Sequence, residues 1–88
     1  MTIILKAFFT QSGVPKTGLT PTIWIYDLTD SAVDINDSAM TEVGKGLYSY
    51  SFAAFDQHHE YVYRVDGTST LSGSERYQHG ELKYNTQA

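Results

Sequence analysis

The chain has 88 residues, 41% hydrophobic and 18% charged, and contains no cysteine. A chain of this size buries only about 60–65% of its unfolded surface, which supports one core and excludes a second; its apolar share excludes a disordered chain, and the missing thiols exclude disulfides, thiolate nucleophiles and cysteine-held zinc or iron–sulfur centres. Ten acidic against six basic residues leave a net charge of -4, which repels a phosphate backbone and argues against nucleic acid as a partner.

The apolar opening, 1–9, is interrupted by Lys6 and followed by polar Thr10, Gln11 and Ser12. A membrane span needs about 20 apolar residues, and a signal peptide starts on basic residues and ends on a small-residue cleavage site. The segment therefore reads as a first strand, made in the cytoplasm and not inserted in a membrane. Ile3, Leu5, Ala7 and Phe9 share one face of it; Ile4, Lys6 and Phe8 share the other, as a two-residue repeat requires. Both faces are largely apolar. Segment 12–18, with Pro15 and two glycines, reads as a loop.

Residues 22–28 form a second strand, with Ile23 and Ile25 opposite Trp24 and Tyr26. A short strand at 32–35 follows, then an Asn36-Asp37-Ser38 turn and a strand at 39–43. Gly44-Lys45-Gly46 suits a tight hairpin in which a residue takes positive φ. Beyond it Tyr48, Tyr50 and Phe52 alternate with Ser49 and Ser51, the clearest half-buried strand of the chain. Residues 53–59 read as a crossing loop, and the strand 61–66 sets Tyr61, Tyr63 and Val65 against Val62, Arg64 and Asp66, ending at Gly67. A last strand is expected near 75–79, continuing past Gly80 toward Leu82 and Tyr84. Six or seven short strands separated by turn residues fit an all-β antiparallel sandwich, with a small barrel as the alternative. The single domain is placed at 1–80, with 81–88 a partly flexible extension.

Gly18-Leu19-Thr20-Pro21-Thr22, the run from Met40 through Gly44-Lys45-Gly46-Leu47-Tyr48-Ser49-Tyr50-Ser51-Phe52, Tyr61-Val62-Tyr63-Arg64-Val65-Asp66-Gly67 and Ser74-Glu75-Arg76-Tyr77 carry a resemblance. Over about 13–80 the chain resembles small immunoglobulin-like β-sandwich proteins of tailed phages and related viruses, among them tail, baseplate and capsid-decoration modules. The resemblance implies a sandwich of about seven strands, a virion location, and a structural or binding unit with no catalytic residues. It also fits a free-standing subunit better than a fused linker.

Several constellations compete with that reading. His58-His59-Glu60 offers metal-ligand types, but neighbours on an extended chain point oppositely, so one ion would need a bent loop and a third group such as His79. A solvated loop explains them better, with a response near the ordinary histidine pKa of about 6.5. Asp27, Asp30, Asp34, Asn36 and Asp37 concentrate oxygen donors without an EF-hand spacing; turn chemistry accounts for them, and a structural calcium is the alternative. Serines 49, 51, 72 and 74 lack a Gly-x-Ser-x-Gly elbow, so no catalytic site, metal site or cofactor is assigned.

The aromatic residues, seven Tyr, four Phe and one Trp, exceed what one small core conceals. Ile4, Phe8, Trp24, Tyr26, Tyr77 and Tyr84 are therefore the interface candidates. The expected function is a non-catalytic viral structural or assembly subunit that self-associates or docks on another virion structural protein. A carbohydrate-binding or adhesive module, using the rings as a platform, is the alternative.

Overall fold

The computed structural model describes residues 2–82 and is all-β, with antiparallel pairing throughout. In chain order the strands are β1 (Ile3–Phe8), β2 (Thr10–Gln11), β3 (Val14–Pro15), β4 (Thr22–Asp27), β5 (Ala32–Ala39), β6 (Thr41–Gly44), β7 (Leu47–Phe52), β8 (Tyr61–Asp66) and β9 (Tyr77–Leu82). They form a three-stranded sheet β1-β7-β6, a four-stranded sheet β5-β4-β8-β9 and the small hairpin β2-β3. A single 3-10 turn, Gly73–Glu75, is the only helical element among the described residues.

Alternation places the core. Leu5 and Ala7 from β1, Phe9 just after it, Tyr48 and Phe52 from β7, Ile23 and Ile25 from β4, and Tyr61 and Val65 from β8 are buried in one cluster, closed by Leu19, Met40 and Leu71 from the connections. Each fully buried side chain of this size contributes about 1.5–3 kcal/mol. The rings interlock edge to face: Phe9 with Tyr48 at 5.7 Å and Phe52 with Tyr61 at 5.2 Å between centroids. Tyr48 brings a polar tip into the core, and its hydroxyl is satisfied there. It accepts from Leu19 N–H at 3.1 Å and donates to Lys16 C=O at 3.0 Å. No buried side-chain N or O among the described residues lacks a partner.

Two glycines are required by geometry. Lys45 and Gly46 both have positive φ, at 55° and 87°, which gives the β6–β7 hairpin the primed turn that matches strand twist. Gly67, just after β8, faces Phe9 and Leu71, and a Cβ there would sit 2.6 Å from Phe9 Cε1.

The structure corrects three details of the sequence reading. The strands number nine in three sheets rather than about seven, because segment 12–18 is not all loop: Ser12 and Gly13 turn the β2-β3 hairpin. Asn36-Asp37-Ser38 is not a turn between two strands. It lies within the eight-residue β5, where the register against β4 slips and Asp37 takes φ of 54°, a bulge that bends one continuous strand. Glu75 belongs to the 3-10 turn, so the last strand starts at Tyr77. It runs to Leu82, paired with Tyr61, along the continuation past Gly80 that the sequence reading expected. Tyr84 lies outside the described residues.

Candidate functional site

One edge of the first sheet is less protected than the other sheet edges. Four strands end the larger sheets: β1, β6, β5 and β9. Proteins guard such edges with charges, bulges and short strands. β5 carries Asp34 and Asp37 and a bulge; β6 is four residues long with a register slip; β9 contains Gly80 and Glu81. β1 has six residues in unbroken register with β7, and Lys6 is its one charge.

The backbone of β1 is also aimed outward. Phe9 N–H donates to Gly46 C=O on the β7 side at 2.8 Å. Alternate residues of a strand turn their backbone groups to opposite sides, so Ile4, Lys6 and Phe8 present theirs to the free edge. Phe8 C=O there accepts from the side-chain amide of Gln78 on β9. The others have no strand partner among the described residues.

The same three residues hold the outer face. Ile4 is 52% and Phe8 49% exposed. Strand register sets Ile4 beside Ser51, Lys6 beside Ser49 and Phe8 beside Leu47. Two apolar ends thus flank a polar middle. Exposed Val14 and Val43 lie on the adjoining hairpins β2-β3 and β6-β7.

The second surface lies on the outer face of the four-stranded sheet. Trp24 and Tyr26, two residues apart on β4, are half-buried, with ring centroids 5.7 Å apart and planes 14° from parallel. Arg64, opposite Trp24 on β8, places its guanidinium 5.6 Å from the indole centroid. Tyr77 is exposed at the start of β9 beneath the Arg76 guanidinium. Arg76 in turn holds Asp66 through two hydrogen bonds, of 2.8 and 3.2 Å, and keeps that carboxyl below the usual carboxylate range.

A third cluster gathers at the end of β4. Asp27 is buried on the inward face, and its Oδ1 accepts from Thr29 N–H at 2.9 Å and Asp30 N–H at 3.1 Å. Its Oδ2 is 2.8 Å from His59 Nδ1. Asp30 Oδ2 stands 3.8 Å from the same nitrogen, and Asp56 Oδ2 lies 3.4 Å from Nε2. Burial pushes the Asp27 carboxyl up, but the His59 hydrogen bond, the Asp30 amide, the imidazolium charge and the Thr29 amide together outweigh it and hold the carboxyl below its ordinary value. His59 is raised, first by its hydrogen bond to Asp27, against partial desolvation, and further by the charges of Asp27, Asp56 and Asp30. Donor atoms of Asp27, Asp30 and His59 fall within 4.8 Å of one another, and the closest pair is at the length of a charge-assisted hydrogen bond.

The structure thus joins residues that the sequence reading kept apart. Asp27 and Asp30, read as turn residues, do serve a turn, and they also meet His59 from a loop 32 residues away. His79 belongs elsewhere: it pairs in register with Arg64 on the other side of the sheet, so the three histidines do not converge. No local pattern signals the Asp27–His59 pair, because each residue sits beside chemically similar neighbours, Asp30 and His58. Comparison of the chain with protein-family models, with curated proteins and with solved structures returned no match.

Proposed function

We propose that the chain is a non-catalytic structural or assembly subunit with an immunoglobulin-like β-sandwich fold, associating with copies of itself or docking on a larger virion structure. The observation that carries this reading is the β1 edge, where unpaired backbone and the exposed side chains of Ile4 and Phe8 coincide. Strand addition at such an edge gains main-chain hydrogen bonds and register together. The sheet orders β1-β7-β6 and β5-β4-β8-β9, with β5 to β6 and β7 to β8 passing from one sheet to the other, support the sandwich reading. The virion setting rests on the motif resemblance described above.

About half of Ile4 and Phe8 remains to be covered, so closing an interface over them is worth roughly 1 kcal/mol apiece. Light scattering across protein concentration and salt tests the reading. A concentration-dependent oligomer that Ile4→Ser with Phe8→Ser converts to monomer is the expected result. A monomer at every concentration, with β1 amides as exchange-labile as a loop, overturns self-association.

The Trp24–Tyr26 pair favours the adhesive module as a second reading, since near-parallel, partly exposed rings stack on sugar faces. Arg64 over Trp24 competes for that face. Saccharide binding by the monomer, abolished by Trp24→Ala, would select this reading over assembly.

A further inference from the structure

The loop 53–60 joins β7 to β8 and is tied to the β4–β5 turn at three points. Leu28 N–H donates to Glu60 C=O at 2.8 Å, Glu60 N–H donates to Thr29 Oγ1 at 2.9 Å, and His59 Nδ1 meets Asp27 Oδ2 at 2.8 Å. The first two fix the loop's end beside β8. On the β7 side the loop is anchored by Phe55, packed on Phe52 and Tyr61; on the β8 side His59 is the residue that reaches the buried Asp27 carboxylate. Its own side of the loop is organised around Asp56, which accepts His58 N–H on Oδ1 and His59 N–H on its carbonyl, and whose N–H donates to Tyr61 Oη.

We propose that His59 is a proton-operated latch: protonated, it fastens the loop 53–60 to the β4–β5 turn, and deprotonated, it lets the middle of that loop come away.

The groups that face the imidazole are acidic on every side. Asp27 comes from β4, Asp30 from the turn after it, and Asp56 from the loop itself; Asp34 of β5 also lies within its field, and the Tyr61 ring of β8 packs near-parallel to it at 6.2 Å. No lysine or arginine is paired with any of these carboxylates among the described residues. An imidazolium therefore supplies the cluster's counter-charge. Its loss leaves a buried carboxylate and two neighbouring ones without a counter-charge, Asp27 keeping only neutral donors such as the Thr29 and Asp30 amides, an arrangement that favours separation of the loop from the turn.

The sign follows from the direction of each group. His59 is raised above its ordinary value, so the latch holds below about 6.5 and is lost as pH rises through the raised folded pKa. Asp27 is lowered, so on the acid side the latch survives until pH falls below the ordinary carboxylate range. Each unit by which His59 is displaced corresponds to a tenfold change in loop opening between its two protonation states. This inference stands apart from the assembly reading, because its residues, Asp27, Asp30, Asp56 and His59, belong neither to β1 nor to the Trp24–Tyr26 pair.

NMR of the intact chain tests it, following the three imidazoles and the protection factors of the Leu28, Asp56 and His59 amides from pH 5 to pH 9, after correction for intrinsic exchange. His59 is expected to titrate above the ordinary histidine value of about 6.5, with loop protection falling as pH rises through its midpoint. His59→Gln should make that protection independent of pH, while His58→Gln and His79→Gln leave its profile in place. Asp30→Asn, at an exposed position, should lower the His59 midpoint, and it decides the matter if Asp27→Asn, at a buried one, fails to fold. Titration of His59 at or below the ordinary histidine value, protection flat across its midpoint, or an unchanged profile in His59→Gln overturns the latch.

Discussion

Replacing Tyr48 by Phe removes one oxygen from the centre of the core and nothing else. The ring remains, with its edge-to-face contact on Phe9, so no packing is lost to first order. Two hydrogen bonds go with the oxygen. Lys16 C=O lies at a half-buried residue, where water can replace the hydroxyl at little cost. Leu19 N–H is the expensive partner, because Leu19 is buried and its donor is then left unmet. A buried unsatisfied group costs about 1–3 kcal/mol. Taking about 2 kcal/mol, the melting temperature of a domain this size falls by roughly 8–16 °C.

Urea unfolding should show the loss as a lower midpoint with an unchanged slope. The control is Tyr50→Phe on the same strand, where the hydroxyl has no partner among the described residues and the expected change is within about 0.5 kcal/mol. Tyr48→Phe as mild as Tyr50→Phe would refute the claim that the buried hydroxyl pins the 16–19 connection to the core.

Gly67→Ala tests the opposite error, excess volume. A methyl group 2.6 Å from Phe9 Cε1 and 2.8 Å from Leu71 Cδ1 must displace a fully buried ring, at about 1–3 kcal/mol, and a neutral result by urea unfolding would mean the core yields there. Acid sensitivity follows from three carboxyls held below their ordinary values: Asp27 for the reasons given above, Asp66 chiefly by Arg76, and Glu75 by the Gly13 and Ser12 amides and the Thr10 hydroxyl. Their contribution is complete above about pH 4–5 and is lost as pH falls through the lowered folded values. Asp34, raised by burial and by Asp27 and Asp30, opposes them. The urea midpoint should therefore drop between pH 5 and pH 2, and a midpoint rising toward acid would contradict the assigned hydrogen bonds. Glu75→Gln should loosen the β2–β3 hairpin without unfolding the core, seen as faster exchange of the Ser12 and Gly13 amides alone.

Much of the fold is legible from alternation. The faces of β1, β7 and β8 fall where the two-residue period puts them, with Leu5, Ala7, Tyr48, Phe52, Tyr61 and Val65 inward and Ile4, Phe8 and Arg64 outward. The period fails where the chain departs from ladder geometry. A bulge at Asp37 and a turn at Asn36-Asp37-Ser38 draw on the same residue types, since Asn and Asp tolerate positive φ in either setting, so composition does not separate them. Trp24 and Tyr26 face Ile23 and Ile25 across one strand, and both pairs are apolar enough to be core. The buried Asp27, in line with Ile23 and Ile25, shows that the inward choice depended on partners from other strands.

By itself the sequence determined that the chain is all-β and antiparallel and which side chains share each strand face, because side-chain alternation and turn dihedrals are local properties of the backbone. Tertiary structure alone decided that β1 stands at a sheet edge and that His59 closes on Asp27. Edge position depends on the order in which distant strands pair. A charge pair 32 residues apart in sequence forms only because packing brings a loop from one sheet against a strand end of the other, where burial makes the carboxylate require a partner.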